Sequence, residues 1–402
     1  MKELCEKSAG VGKFLKEKNS KKISIACLHL DHGGIEMAVT SLANALCEEG
    51  YQVELLCTYR LCNPVYQLDP RVIVTYLTDC KPNRQEIADA WNSHHFFILA
   101  KELFRAGFIL WRKKRTMIEA IRRVQEGILI STRDEYTLLL SRFGNPHVRK
   151  IAQIHQSPQF SPRKLRRMRK GYRNIDVLVT PTRQAANELR KNLSPFIPNL
   201  SCVAIPHFLA YEKGRAGTKK RKQIIAVGRL HPEKGFARML QLWSKVIPCF
   251  PDVILKIVGD GGERGNLEEK CKNLGIKNTV IFTGVLPHEQ VLDEMEHSLC
   301  YLMTSLEESF GFVLIEALSC GLPVLAYDVQ MGPREIVEDG VNGFLVPDGD
   351  ENLMADRLRL LLSKEKLRRR LGEGAKQSSF RYEKTAIIQK WIQCIKGEDV
   401  AD

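Results

Sequence analysis

Two carboxylates eight positions apart bracket one short stretch of the sequence. Glu308 lies in a loop after the apolar run Leu299 to Met303, and Glu316 lies in a short apolar helix predicted after Gly311. In an open parallel sheet, such a loop lies at the carboxyl end of a strand, where ligands bind and the new helix offers N–H groups to an anion. The two carboxylates could then contact different parts of one ligand. Taken alone, the pair would favour a solvated acidic loop followed by an ordinary helix carboxylate.

Two cations lie in another loop of this half of the chain. The predicted strand Gln223–Val227 is followed by Arg229 and Lys234, which precede a helix predicted from Phe236. Cations converging from one loop can stabilise a leaving diphosphate without a metal ion. Ordinary surface cations are the alternative, but the helix dipole disfavours positive charge at this end of a helix.

Two features of the N-terminal half could contribute to the same site. Gly33 and Gly34 follow the first predicted strand, and their N–H groups with the start of a helix would suit a phosphate, although a glycine pair is more often a simple turn. His155 ends the predicted strand 150–154 and is well placed to meet a ligand. A lone histidine is usually structural.

These residues resemble the motifs of a known enzyme family. Glu308 and Glu316 resemble the Glu-x7-Glu signature of retaining glycosyltransferases of family 4, and Arg229 and Lys234 match the basic pair of its strand-end motif. The resemblance covers most of residues 22–395, is specific over 224–346, and is weak over 80–175, where the acceptor would bind. It implies the α/β GT-B fold, with two doubly wound Rossmann-like domains facing across a cleft.

The resemblance also implies roles for single residues. Lys234, Arg229 and the glycine pair would hold the donor diphosphate, Glu316 the ribose hydroxyls, and Glu308 and His155 the sugar. Catalytic roles are implied for Glu308, His155, Arg229 and Lys234. The residues of the implied donor-binding site are Gly33, Gly34, Arg229, Lys234, Ser309, Phe310, Gly311 and Glu316.

Strands alternate with helices in both halves, which independently predicts two doubly wound domains. We expect a charged lead over 1–20, an acceptor-binding domain over 21–208, a linker over 209–222 and a nucleotide-sugar-binding domain over 223–375. By resemblance, residues 376–402 would form a helix that crosses back to the first domain.

Two further patterns suggest ligands but favour simpler explanations. Asp348-Gly-Asp350 spells a metal-binding Asp-x-Asp, yet it follows a strand and precedes a helix, where Asp350 is a good N-cap. Gly259-Asp-Gly-Gly262 nearly forms a dinucleotide fingerprint, but the next glycine is one place late. We therefore expect no metal and no other cofactor.

Composition narrows the class of protein. The chain has 402 residues, 44% of them hydrophobic, so it is long enough for two globular domains. Its 12 cysteines are scattered singly, which favours reduced thiols over disulfides or a metal site. There is no apolar run long enough to span a membrane and no signal-peptide core, so we expect a cytoplasmic protein.

The positive charge is confined to the N-terminal half. Residues 1–210 contain 33 Lys and Arg against 19 Asp and Glu, whereas residues 211–402 contain 28 of each. Segment 84–125 mixes aromatic and basic residues, and segment 163–173 has seven basic residues among eleven. We expect peripheral binding to the inner face of an anionic cell membrane. The alternative for segment 84–125 is that its aromatic side chains pack in the core.

The sequence therefore predicts a retaining, metal-independent hexosyl- or N-acetylhexosaminyltransferase. It would transfer sugar from a nucleotide sugar, by expectation a UDP-sugar, to a cell-envelope glycan or lipid-linked acceptor. Two alternatives stay open: a non-catalytic sugar-nucleotide-binding protein, and a basic nucleic-acid-binding protein. The second explains the basic half but not Glu308, Glu316, Arg229 and Lys234 in the neutral half.

Overall fold

The computed structural model describes residues 21–31, 33–155, 161–209 and 219–400. The predicted lead over 1–20 and most of the predicted linker lie outside these residues. Within them, the chain forms two α/β domains, each built on one parallel sheet, of seven strands in the first and six in the second. No helix of the described part has both the length and the apolar composition needed to span a membrane.

The N-terminal domain contains strands that are mostly apolar and buried, as its sequence pattern predicts. They are β1 Lys22–Cys27, β2 Gln52–Tyr59, β3 Ile73–Thr78, β4 Ile128–Ser131, β5 Arg149–Gln153, β6 Val177–Thr180 and β7 Ser201–Ala204. The helices are α1 Gly34–Glu48, α2 Arg84–Asn92, α3 Phe96–Arg123, α4 Asp134–Phe143, α5 Pro162–Gly171 and α6 Arg183–Leu193.

The C-terminal domain repeats this alternation. Its strands are β8 Gln223–Val227, β9 Ile254–Val258, β10 Val280–Gly284, β11 Tyr301–Met303, β12 Val324–Asp328 and β13 Gly343–Pro347. Its helices are α7 Phe236–Val246, α8 Arg264–Asn273, α9 His288–His297, α10 Phe312–Ser319, α11 Gly332–Ile336, α12 Glu351–Ser363 and α13 Glu365–Ser379.

The strand order of each sheet indicates where a ligand would bind in that domain. The first sheet runs β3-β2-β1-β4-β5-β6-β7 and the second β10-β9-β8-β11-β12-β13. The order therefore reverses between β1 and β4 in one sheet and between β8 and β11 in the other. In open α/β sheets, ligands bind beyond the carboxyl ends of the strands at such switch points. The loops predicted to carry the site follow β1, β8 and β11.

The last helix, α14 Lys384–Lys396, belongs to the core of the N-terminal domain. Its Trp391 is buried in the same cluster as Ile25 of β1 and Leu46 of α1. Leu209 donates its backbone N–H to the carbonyl of Tyr382 at 3.0 Å, beside the segment that leads into α14. Two segments of chain therefore connect the domains at this point.

The helical segment predicted over 84–125 is two helices. Residues 93–95 separate α2 from α3, and His94 there adopts a positive φ of 57°. Asn83 Nδ2 donates to the Glu102 carbonyl and to Glu102 Oε2, each at 2.8 Å, which fixes the start of α2 against α3. We call this pair of helices the α2–α3 hairpin.

Candidate active site between the domains

The loops after β8 and β11 bring Lys234 and Glu308 into contact. Lys234 Nζ lies 2.6 Å from Glu308 Oε2, and both side chains are largely buried. The two loops are held together by backbone bonds: Leu306 N–H donates to the Glu233 carbonyl at 2.8 Å. Thus the predicted diphosphate cation and the predicted sugar carboxylate form one ion pair at the switch point.

Arg238, on the first turn of α7, positions the second of these loops. Its Nε donates to the Thr304 carbonyl at 2.6 Å, and Nη2 donates to the Ser305 carbonyl. Nη1 donates to Asp348 Oδ1 at 2.7 Å. Asp350 accepts from the Leu353 N–H at 3.0 Å and so caps α12, as predicted. The two aspartates of the Asp-x-Asp pattern therefore have separate structural partners.

Gly259 allows close packing beneath this site. A Cβ at Gly259, whose φ is +133°, would lie 2.0 Å from the Gly228 carbonyl oxygen. Gly228 starts the loop that carries Arg229 and Lys234. Gly259 thus permits the two strand-end loops to approach each other, a structural role that requires no dinucleotide.

Glu316 is buried on α10 with a histidine beside it. His288 Nε2, at the start of α9, lies 3.2 Å from Glu316 Oε1. Glu316 has 5% of its side chain exposed and His288 has 40%. His288 therefore orients the carboxylate from the solvent side. The hydroxyl of Tyr301 is buried near both Glu308 and Glu316, and burial and these charges raise its pKa.

The N-terminus of α10 faces the glycine loop of the other domain. Gly311 is the N-cap of α10, with a φ of 93° that favours glycine. Across the cleft, a Cβ at Gly34 would lie 3.6 Å from the ring of Phe312. Tyr66 Oη donates to the Gly33 carbonyl at 3.3 Å, and burial, with smaller contributions from charges that include Glu316, raises the pKa of Tyr66. The two predicted phosphate-binding loops are therefore brought together.

His155 lies at the domain interface in a stack of aromatic rings. Its ring is parallel to that of His207, with centroids 5.3 Å apart, and His207 stacks on Phe312 at 4.6 Å. The ring of Phe310 contacts that of His207 edge-on, with centroids 5.0 Å apart. The Phe310 side chain therefore lies in the interface, and only the Phe310 backbone can contact a ligand. Neither ring nitrogen of His155 has a hydrogen-bond partner among the described residues.

Both histidines of this stack are held neutral. Burial, with smaller contributions from His207 and Arg133, lowers the pKa of His155 well below its usual value. Burial lowers the pKa of His207 to about 3. A neutral imidazole whose nitrogens lack partners can exchange hydrogen bonds with a sugar hydroxyl without bringing charge into the cleft.

Arg229 is more exposed than the other predicted site residues. Its guanidinium lies 3.0 Å from Glu233 Oε1, and 77% of its side chain is exposed. It lies on the same loop as Lys234 but pairs with Glu233 instead of Glu308. Ser309 is half-buried beside Glu308.

Comparisons with known proteins agree with this architecture. Residues 211–378 match a family model described as "Glycosyl transferases group 1". The solved structure of S. aureus TarM with UDP superimposes with a TM-score of 0.74 at 13% identity, over 93% of this chain and 99% of that one. The structure of sucrose-phosphate synthase from Thermosynechococcus elongatus superimposes with a TM-score of 0.74 at 18% identity, over 94% of this chain and 98% of that one. The fold is GT-B.

Relatives by sequence support a GT-B glycosyltransferase. An uncharacterized glycosyltransferase of Haemophilus influenzae is 28% identical over 92% of this chain and 99% of its own length. An α-1,4-N-acetyl-D-galactosaminyltransferase of Campylobacter jejuni, acting on a diNAcBac-PP-undecaprenol glycan, is 26% identical over 93% and 98%. An exopolysaccharide phosphotransferase of Streptomyces coelicolor is 28% identical over 89% of this chain, which spans 39% of that protein.

The GT-B site includes residues that sequence reasoning missed. His207 follows Pro206 just beyond β7, at a strand end like that of His155, and this position could have indicated it. His288 begins α9 directly after Pro287, but its contact with Glu316 spans 28 positions. Arg238 lies on a helix with no motif. Only the tertiary structure brings these last two to the site.

Proposed function

We propose that this chain is a retaining glycosyltransferase that transfers a hexosyl or N-acetylhexosaminyl group from a UDP-sugar. The acceptor is a cell-envelope glycan or a lipid-linked glycan, and catalysis needs no metal ion. One observation carries the proposal: Lys234 and Glu308 form a partly buried ion pair at the switch point, beside the N-terminus of α10. The UDP bound by TarM and the undecaprenol-linked glycan of the Campylobacter relative support the donor and acceptor classes.

Lys234 stabilises the departing diphosphate. Negative charge accumulates on that group in the transition state, and a fixed ammonium acts most strongly there. When donor binds, Lys234 Nζ turns from Glu308 to a diphosphate oxygen. Arg229 closes from solvent onto the same group, and the N–H groups of Gly34 and Gly311 complete its surroundings.

Glu308 is then available to the sugar. A carboxylate near the anomeric carbon stabilises the positive charge that develops as the bond to the diphosphate breaks. Glu316, oriented by His288, binds the ribose hydroxyls. On donor binding, His155 turns one of its buried, unpartnered ring nitrogens to a sugar hydroxyl from the opposite domain.

Retention follows from front-face attack. The acceptor hydroxyl approaches from the side on which the diphosphate leaves, its oxygen bonds to the anomeric carbon, and its proton passes to a diphosphate oxygen. The anomeric configuration is kept without a covalent sugar–enzyme intermediate.

The test is a panel of nucleotide sugars measured first by thermal stabilisation. A ligand at 100 times its Kd adds about 2.7 kcal/mol to the free energy of unfolding, so the correct donor raises Tm by several degrees. Glu316→Gln should remove that shift, whereas Lys245→Ala, an exposed lysine on α7 away from the site, should keep it. No shift with any nucleotide sugar would reject the proposal.

Turnover separates the enzyme from its two alternatives. A sugar-nucleotide-binding protein would show the shift but release no nucleotide. A nucleic-acid-binding protein would retard DNA or RNA in a gel at physiological salt and show no shift with nucleotide sugars.

A further inference from the structure

The α2–α3 hairpin presents large aromatic side chains to solvent. The exposed fractions are 68% for Trp91, 95% for Phe97, 83% for Phe104, 48% for Phe108 and 53% for Trp111. These side chains do not pack in the core, so that alternative for segment 84–125 is wrong. Several large aromatic side chains exposed on one pair of helices indicate an interaction site.

The hairpin extends past the edge of the sheet that borders the cleft. Helix α3 has 28 residues, roughly 42 Å, and leads at its C-terminus into the amino end of β4. Near its middle, Lys113 Nζ lies 2.7 Å from Glu135 in the first turn of α4, which begins beyond the carboxyl end of β4. The N-terminal half of α3 therefore projects beyond the carboxyl edge, on the side of the candidate active site.

A basic cavity adjoins the base of the hairpin. It has a volume of about 660 Å³ and lies between α3, α4 and α5. Lys114, Arg142, Lys170 and Arg173 line it, all exposed, and none forms an ion pair with a described residue. The nearby acids Glu135 and Asp134 already pair with Lys113 and Arg167. The cavity therefore has positive charge without a protein counterion.

We propose that the α2–α3 hairpin and this basic cavity form a docking surface for an anionic lipid bilayer. The aromatic side chains enter the headgroup boundary, and the cavity receives a phosphate-bearing headgroup. Leu110 lines the cavity and lies on the exposed part of α3, so the apolar and basic surfaces are continuous. Bound in this way, the cleft faces the membrane, where a lipid-linked acceptor would be presented.

Charge complementarity selects this occupant. A symmetric contact with a second copy of the chain would bring two of these basic cavities together, and like charges would oppose that contact. An anionic bilayer can bind the exposed aromatic side chains and the basic cavity at the same time. Lipid binding requires no donor and no turnover, so it can fail while the proposed enzymatic function stands, and the reverse also holds.

The experiment is co-sedimentation of the full chain with vesicles of phosphatidylcholine alone or with 30% phosphatidylglycerol, at about 0.1 M and 0.5 M salt. We expect at least about tenfold tighter binding to the anionic vesicles, and most of this preference should be lost at high salt. The triple variant Trp91→Ser, Phe97→Ser, Phe104→Ser should weaken binding to anionic vesicles about tenfold or more. Because these side chains are exposed, its Tm should match that of the parent chain.

A charge variant and its matched control test the cavity. Lys114→Gln, Lys170→Gln, Arg173→Gln should abolish the preference for anionic vesicles. Lys272→Gln, Lys277→Gln, Arg370→Gln removes the same charge from exposed positions of the C-terminal domain and should preserve it. Equal binding to both vesicles, or equal effects of the two triple variants, would overturn the proposal. A dimer in light scattering that the aromatic variant abolishes would assign the surface to a second copy instead.

Discussion

At the scale of residues, the contact between Lys234 and Glu308 distinguishes this site from ordinary surface charge. An exposed ion pair contributes little, but this one is largely buried and has no structural role beyond joining two strand-end loops. Glu308 and Lys234 are 74 positions apart, so their direct contact could not be predicted from spacing. What the sequence did indicate was the position of each at the end of a strand.

We expect Lys234→Ala to lower kcat by roughly 10²–10³-fold, because it removes one charge contact with the transition state. Arg229→Ala should lower kcat less, since Arg229 lies in solvent before donor binds. Steady-state kinetics with the identified donor measure both, and Lys245→Ala serves as the control. Unchanged kcat in Lys234→Ala would remove Lys234 from the diphosphate site.

His288 offers a second residue-scale prediction. Because it contacts Glu316 and not the reacting atoms, His288→Ala should raise KM for the donor several-fold and leave kcat nearly unchanged. Glu308→Gln should do the opposite and chiefly lower kcat. A loss of kcat without a change in KM for His288→Ala would contradict its positioning role.

At the scale of elements, the strands followed the sequence closely and the long helical segment did not. Short apolar runs with glycine or proline at one end located β8, β9 and β12 within a residue or two, because buried parallel strands need apolar side chains on both faces. Periodicity identified segment 84–125 as helical but could not show the break at His94. Nor could it show which face was exposed, since that depends on what packs against α3.

Asp348 and Asp350, in the turn between β13 and α12, are the candidate metal ligands, so activity in EDTA tests the expected metal independence. Activity should persist in EDTA, since Lys234 and the N-terminus of α10 can neutralise the diphosphate. Asp350→Ala should cost about 1 kcal/mol of unfolding free energy through loss of the helix cap, with turnover kept. Loss of activity in EDTA that magnesium or manganese restores would reinstate Asp348 and Asp350 as a metal site.

The stack of His155, His207 and Phe312 should make stability depend on pH. Burial lowers the pKa of His207 from 6.5 to about 3. Below pH 6.5 the unfolded chain takes up a proton that the folded chain refuses. The free energy of unfolding therefore decreases as the pH is lowered below 6.5, by up to about 1.4 kcal/mol per pH unit for each such histidine.

The matched variant is His207→Phe, which keeps a ring against Phe312 and cannot titrate. Between pH 7 and pH 5 its Tm should fall less than that of the parent chain, as measured by differential scanning calorimetry. Identical falls would show that His207 is already protonated, or exposed, in the folded state.

At the scale of the whole molecule, the two domains meet where their sheet orders reverse. Helix α14 follows the C-terminal domain in the sequence, but its Trp391 packs in the core of the N-terminal domain. This helix therefore ties the two domains together. The alternation of strands and helices predicted both domains. Their mutual placement, and hence the contacts of Gly34 and of His207 with Phe312, required the three-dimensional structure.

Analysis of the products tests the central claim most directly. The chain is incubated with its stabilising UDP-sugar and acceptor, the released nucleotide is separated by chromatography, and the new linkage is followed by NMR of the anomeric proton. Our account predicts release of UDP, with the anomeric configuration of the donor kept in the product. Release of UMP would show transfer of a sugar phosphate, and an inverted linkage would exclude front-face attack. Either result would contradict the account.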